Sequence, residues 1–580
     1  MSSAAEHLSL NQRLFLALND GGARTALIAN DEQFSYDQLR SHVYAAASDL
    51  SSFKPQRLAI MTSRAPETYF IILASILSST CYVPISSVHP EPKNAFIIDH
   101  CQCSHLYIDS HGCDYACDLI INHLSDLQIE RITFLVSPAG MQMIKTRVDK
   151  VIENEGLDDA VKTRAAAFLA SLKVIAADPQ NFDVESFRPR ECDGSEVMHI
   201  LYTSGTTGQP KGVMVLRSNY EAYFASTMDF YDFRESDVFS HFAELTFDIS
   251  LQDVVCALCS RASVVCPSKT DIMVPVRYFE KYGITVVHNT PSMIQYMERT
   301  GMLSRVKTPT VRIAIFAGEA LWYRQVSAWH KAFPQCRIFN AFGPTEAAVI
   351  VCVHEVSAAE ISRHDHDNSI VPLGHSFDTV TLKVVDESGH EVPEGTTGEL
   401  LIGGPQVTAG YFRNEQRTAE AFSEGDGMRW FHTGDQVTAF THNALENTAM
   451  CAAGESFTSH HYLGRSGDMV KIKGFRISMY EVEEEFSHLT SLQSVAMKCS
   501  IENDGFNEAI LVVAIAGADE HELSRLRSEV KNSMSIYMRP EYIIAVDGFP
   551  LNANGKTDRK ALKAMVINQA PHSLNVQLLD

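Results

Sequence analysis

The sequence is short of positive charge. It carries 48 Lys and Arg against 71 Asp and Glu, a net charge of −23, whereas a nucleic-acid surface needs an excess of cations on one face. Any anionic ligand must therefore meet a locally basic or backbone-lined site. Long apolar runs are also missing. The most apolar segment, "TYFIILASIL" (68–77), is about half the length that spans a bilayer, and with Pro66 and Glu67 at its start the spacing predicts a buried helix. No basic stretch followed by an apolar core opens the chain, so neither a secretory signal nor a transmembrane segment is expected. Thirteen cysteines, an odd number scattered through the chain, fit a reducing, cytoplasmic compartment better than a disulfide framework. Cys101, Cys103, Cys113 and Cys117 crowd together, but their spacing matches no common zinc module. "HDHD" (364–367) and His460–His461 lie in polar sequence that reads as solvated loop.

At 580 residues the chain is too long for one core. Apolar runs such as "RLAIMTS", "LYTSG", "TVVHN", "VRIAIFAG" and "RIFNAFG" alternate with helical patterns, which predicts an α/β fold with parallel sheets covered by helices. After about residue 370, shorter strands such as "TVTLKVVD" and "GELLIGG" joined by Gly and Pro turns predict a β-rich subdomain. Residues 436–462 read as a polar surface excursion. The expected division is a large N-terminal domain over 1–465, its β-rich subdomain at about 370–465, and a small mobile α+β C-terminal domain over 466–580.

The stretch richest in chemistry is "YTSGTTGQPKGV" (202–213). It is no P-loop, because five residues after Gly205 comes Pro210, and Lys211 is followed by Gly212 rather than Ser or Thr. Strand-like sequence lies on both sides, and the next helix is expected at Ser218 with Glu221 completing a capping box. The loop therefore joins two strands. Such a cradle can wrap phosphates with backbone N–H groups and the hydroxyls of Thr203, Ser204, Thr206 and Thr207, with Gly205 and Gly208 supplying freedom and Lys211 supplying charge.

"LYTSGTTGQPKGVMV" resembles the phosphate-binding signature of the adenylate-forming superfamily. Further motifs follow in that family's order: "FSYDQL", "CYVPI", "NAFGPTEAAV", "GELLIGGPQVTAGYFRNEQRTAEAF", "WFHTGDQV", "GRSGDMVKIKGFRI" and "NANGKTDRKAL". The resemblance implies ATP-dependent activation of a carboxylate as an acyl-adenylate, with release of pyrophosphate and transfer to a thiol. It implies that Phe342 stacks on adenine within an ATP-binding set including Gly318, Asn340, Ala341 and Gly343. Thr345 would contact phosphate, Glu346 would hold Mg²⁺, and Asp435, with Arg465 beside it, would bind ribose. Lys556 would reach the substrate carboxylate and α-phosphate. Gly467 stands where relatives place an Asp or Lys hinge, with Asp468 next, and Gly474 would line a pantetheine channel.

"LTFDISLQDVVCAL" (245–258) bears on the substrate. By resemblance to amino-acid adenylation domains, Asp248 pairs with an α-ammonium. The plainer reading is that it caps a helix, but Ser250 with Asp253 already supplies a capping box. The other pocket positions carried over are Ile249, Gln252, Ile315, Ala317, Ala341, Val349 and Ile350. None is charged, so glycine or D- or L-alanine is expected, and the chain looks most like free-standing D-alanine:carrier-protein ligases. Fewer than about twenty residues follow "NGKTDRKAL", too few for a carrier domain, so the expected acceptor is a separate carrier protein with phosphopantetheine. The alternatives are an acyl- or aryl-CoA synthetase of the same superfamily and a non-catalytic binding relative.

Overall fold

The computed structural model describes the chain from residue 8 to 577, except residues 110, 124–128, 130, most of 136–182, 204–209, 365–368, 444–455, 466–468, 504–505, 551–556, 558 and 570–574. Gly-rich residues 204–209, the 467–468 pair and Lys556 therefore lie outside the described residues.

Two large sheets carry the N-terminal part. All but the last strand of the seven-stranded sheet run parallel, among them Leu58–Thr62, Tyr82–Ser86 and His105–Asp109. Those three strands are buried at every position, which is why they read as continuous apolar runs rather than as alternation. The sheet ends in Val197–Thr203 and Lys211–Leu216, paired antiparallel from Val197↔Leu216 to Thr203↔Lys211. The expected strand–loop–strand cradle is present.

The nine-stranded sheet places Val286–Asn289, Ile313–Ala317 and Arg337–Phe342 side by side in parallel, with Ala317 opposite Ala341. Between the sheets lies Pro66–Leu77, every residue but Glu67 buried and Pro at its first turn. That position tolerates the missing N–H, and burial of each large apolar side chain contributes about 1.5–3 kcal/mol.

A five-stranded sheet follows, built from strands between Thr381 and Arg465. Residues 436–462 are no mere excursion: Met428–Asn443 and Ser456–Arg465 form a long antiparallel ladder across them. His460 and His461 belong to that ladder rather than to solvated loop, and His460 is buried. Next comes a short hairpin, Met469–Ile472 with Phe475–Ser478, and then a four-stranded sheet with helices Met479–Leu489 and Glu520–Ser533 over its own apolar core. Among the cysteines expected to crowd, Cys101, Cys103 and Cys117 pack in an apolar cluster of the seven-stranded sheet. No described helix is long and apolar enough to cross a membrane.

Both expected capping boxes are overturned. The helix after the phosphate loop is Arg217–Phe230, with Asn219 Oδ1 accepting from Leu216 N at 2.8 Å. Glu221 instead accepts from Leu10 N at 3.2 Å. The helix Ile249–Cys259 takes Asp248, not Ser250, as its N-cap. Asp253 faces two buried histidines from other elements, His241 Nδ1 at 3.4 Å and His288 Nδ1 at 3.3 Å.

Candidate active site

The carboxyl ends of the parallel strands and the loops that leave them converge on one region. Beyond Phe342 the chain turns back sharply. A Cβ on Gly343 would lie 2.1 Å from the Val349 carbonyl oxygen, so only glycine permits the crossing. A 3₁₀ turn, Thr345–Ala347, is followed by Ala348 and Val349 at φ +49° and +78°. Left-handed backbone in a β-branched residue costs about 1–3 kcal/mol and persists only when its surroundings hold it. Gln406 does so: its buried Nε2 donates to the carbonyls of Ala347, Ala348 and Ile350 at 3.2, 3.2 and 2.9 Å.

The strained turn delivers donors to Asp248. Its Oδ1 accepts from Ile249 N at 2.8 Å, and the Thr345 hydroxyl and the Val349 amide also donate to the carboxylate. Burial pushes the Asp248 carboxyl up to about 6 and the nearby Glu346 charge adds to the rise, while these donors oppose it. Asp248 therefore caps its helix and faces the site at once. Ile315, Ala317, Ala341, Val349 and Ile350 belong to the large apolar core of the N-terminal part, with Ile249 packed on it. Gln252 is buried and accepts a hydrogen bond from the Tyr223 hydroxyl.

Glu346 is fully buried, and its Oε1 accepts from the Tyr411 hydroxyl at 2.9 Å. Lys211 Nζ donates to the same hydroxyl at 3.4 Å and lies 4.5 Å from the ring centroid. Thr203 Oγ1, at the mouth of the phosphate hairpin, is buried with no hydrogen-bond partner among the described residues. Asp435 is buried and pairs in register with Arg465 across the ladder. Asn340 is committed elsewhere, its amide donating to the carbonyls of Val371 and Pro372 at 3.1 and 2.8 Å; it shapes the strand end rather than offering its amide to a ligand.

The C-terminal hairpin closes over this region. Its two turn residues, Lys473 and Gly474, have φ +50° and +84°, the left-handed pair of a tight type I′ connection. Gly474 lies against Gly318 and Thr290, and its amide donates to Glu319, which also accepts from Ser292 N at 3.0 Å. Burial pushes the Glu319 carboxyl up and these donors partly offset the shift. Phe475 stacks on Tyr537 at 4.9 Å and meets Phe247 edge-on at 5.5 Å. Lys471 Nζ stands 5.2 Å from the centroid of Phe342.

Sequence reasoning missed Tyr411, Glu319 and Lys471. Tyr411 and Lys471 lie inside family-like motifs and Glu319 just beyond the strand "VRIAIFAG", but their roles depend on convergence of segments far apart in the chain. Among the described residues no group of three or more His, Cys, Asp or Glu side chains could hold a metal ion.

A model of the AMP-binding enzymes matches residues 16–412, the span that holds the phosphate hairpin, the strained turn and Tyr411. The chain belongs to the AMP-binding enzyme family. It is 29% identical over 381 residues to a D-alanine--D-alanyl carrier protein ligase of Lacticaseibacillus rhamnosus, covering 64% of this chain and 72% of that one. It is 26% identical over 550 residues to tyrocidine synthase 3 of Brevibacillus parabrevis, where 93% of this chain spans only 7% of the relative. Among solved structures, the Vibrio cholerae adenylation domain AlmE, crystallised in complex with glycyl-adenosine-5'-phosphate, superposes with TM-score 0.79 at 22% identity, covering 97% of this chain and 98% of that one. An artificially fused adenylation–PCP di-domain, NpsA-ThdA from Klebsiella oxytoca, gives TM-score 0.67 at 19% identity, covering 93% and 87%. These structural likenesses establish the adenylation-domain fold, with its large N-terminal and smaller C-terminal parts.

Proposed function

We propose that this AMP-binding enzyme activates a small neutral amino acid, glycine or D- or L-alanine, with ATP as second substrate, and transfers it to the phosphopantetheine thiol of a carrier protein. The observation that carries the reading is Asp248, a buried carboxylate held by three donors. An ionised carboxylate there complements an α-ammonium, and the pocket positions implied by the family resemblance, none of them charged, would leave no partner for a charged substrate side chain. The names of the D-alanyl carrier protein ligases and of the glycyl-adenylate complex support the substrate class.

In the activation step a substrate carboxylate oxygen attacks the α-phosphorus of ATP, a C–O–P anhydride forms, and the bond to pyrophosphate breaks. The protein's work is positioning and charge stabilisation. Lys211 would receive phosphate oxygens by charge, and so would the Thr203 hydroxyl, a buried atom with no partner among the described residues. Thr345 would bridge Asp248 and phosphate. Asp435, with Arg465 in register, would take the ribose hydroxyls, and Lys556 would meet the substrate carboxylate and α-phosphate. The donor set fits Mg²⁺, which takes hard oxygen ligands and needs one protein carboxylate when phosphates and waters supply the rest; Glu346 would be that carboxylate. When bound, the cation would neutralise charge on the phosphates.

In the transfer step the C-terminal hairpin would line the approach of the thiol, with Gly474 against Gly318 and Thr290 and the 467–468 pair as the hinge. Mass spectrometry of a holo-carrier protein after incubation with ATP and glycine or alanine tests the reading. Thioester formation with these amino acids is expected. Loading only by large or charged amino acids, or loading of free coenzyme A alone by a carboxylic acid lacking the amine, would overturn it.

A further inference from the structure

We propose that Tyr411 is a positioning residue that couples the phosphate-loop lysine to the metal-binding carboxylate. This rests on the adenylation reading above. The Tyr411 hydroxyl donates to Glu346 Oε1 at 2.9 Å and accepts from Lys211 Nζ at 3.4 Å, so one group touches the cation and the anion that the reaction would use. The side chain is only 4% exposed, and a hydrogen bond to an ionised group in such surroundings is among the stronger kinds.

The backbone that carries Tyr411 is stitched to both partners. On one side it pairs with the outgoing strand of the phosphate hairpin: Met214 N donates to Gly410 O at 2.9 Å, Ala409 N to Met214 O at 3.2 Å, and Phe412 N to Gly212 O at 2.7 Å. On the other, Thr408 N donates to the carbonyl of Glu346 at 2.9 Å. The Tyr411 amide itself donates to Thr418 Oγ1 at 3.0 Å, and its ring meets Phe422 edge-on at 5.6 Å. The segment is thus a brace between loop and turn, and the hydroxyl is its polar end.

The chemical consequence concerns Glu346. The hydrogen bond from the tyrosine to Oε1 restrains the rotation of the carboxylate that would hold a cation. Groups that orient a metal ligand in this way typically change metal affinity by about 10- to 100-fold when removed. Lys211, held over the ring, is kept at the mouth of the hairpin before phosphate arrives.

The test is Tyr411→Phe in the full chain, read by Mn²⁺ binding to the enzyme–ATP complex in electron paramagnetic resonance, without amino acid and without turnover. We expect Mn²⁺ affinity to fall about tenfold or more, with a smaller loss in metal-free ATP binding, because the Phe ring stays under Lys211, and with the KM for amino acid unchanged. In a Glu346→Gln background Tyr411→Phe should add nothing, because the coupled pair is already broken. Unchanged Mn²⁺ affinity in Tyr411→Phe, or an equal loss in the Glu346→Gln background, overturns the proposal while leaving adenylation intact. If wild-type enzyme binds no Mn²⁺·ATP, both readings fall. Should Tyr411→Phe not fold, Thr418→Ala, which removes the acceptor of the Tyr411 amide, carries the same expectation in direction: weaker Mn²⁺ binding, with a smaller effect on metal-free ATP binding. No change in Mn²⁺ binding there overturns it equally.

Discussion

Two hairpins meet the site, and they are built in opposite ways. The phosphate hairpin is anchored along Val197–Leu216 in a large sheet and opens into a long Gly- and Thr-rich connection. The C-terminal hairpin is short, turns within Lys473–Gly474, and reaches the site with its tip. The first brings one end of a network that runs through Lys211, Tyr411, Glu346, Thr345 and Asp248 within the N-terminal part. The second touches that part through Gly474 with Glu319, Phe475 with Phe247 and Lys471 with Phe342, while the C-terminal unit behind it adds Lys93 Nζ with the Tyr537 hydroxyl at 2.9 Å and Arg299 with Glu508 at 2.8 Å. A buried, interlinked network suits a fixed catalytic half, since its geometry must survive each turnover. A short hairpin that meets the site only through its tip and flanking side chains suits a half that arrives and leaves.

If that division is right, damage to each half should strike a different step. The largest effect is expected at Asp248. Asp248→Ala leaves the substrate ammonium without its partner, and loss of one member of a desolvated pair costs about 3–5 kcal/mol. Amino-acid-dependent pyrophosphate exchange should fall about 10²-fold or more in kcat/KM, while binding of ATP alone is retained. Equal losses for both would erase the distinction between substrate pocket and phosphate cradle.

Gly474→Ala should act on the other half. The added Cβ would lie 2.5 Å from Thr290 Cγ2 at a residue with φ +84°. Such strain, about 1–3 kcal/mol, should slow thioester formation about tenfold in rapid-quench assays and leave pyrophosphate exchange unchanged. A matching fall in exchange would mean that the hairpin belongs to the fixed half.

The smallest effects concern pH. The Asp248 carboxyl rises from an ordinary 3.8 to about 6 in the folded chain, so the folded state holds that proton more tightly than the unfolded state. Its contribution to stability is present below about pH 4 and is lost as pH rises through about 6. Asp248→Asn should therefore stabilise the protein by about 1–3 kcal/mol above pH 6 and make no difference near pH 4, as thermal melts at the two pH values would report. In the wild type, kcat/KM for amino acid should show an acid limb near pH 6, because only the ionised carboxylate pairs with an ammonium.

Much of this architecture was legible in the sequence, for identifiable reasons. Parallel strands buried on both faces appear as uninterrupted apolar runs, and Val286–Asn289, Ile313–Ala317 and Arg337–Phe342 were visible that way. The phosphate hairpin was legible because the wrong P-loop spacing and apolar flanks together exclude a helix start. Local patterns failed where tertiary partners outbid them. Ser250 and Asp253 have capping-box spacing, yet Asp253 faces two histidines brought by other strands and loops. Glu221 likewise serves the N-terminal helix through Leu10. The 436–462 stretch looked like surface because its residues are polar, but a ladder at the sheet's edge needs backbone pairing more than apolar side chains. Tyr411 could not be assigned a role in advance, since its partners lie 65 and 200 residues away.

The central claim is that Asp248 makes this AMP-binding enzyme select an amino acid rather than a plain carboxylic acid. The most direct measurement compares pyrophosphate exchange with alanine against propionate, its desamino counterpart, in the wild-type enzyme and in Asp248→Ala. The account predicts strong preference for alanine in the wild type and loss of that preference in the variant. Equal exchange with propionate in the wild type would contradict it.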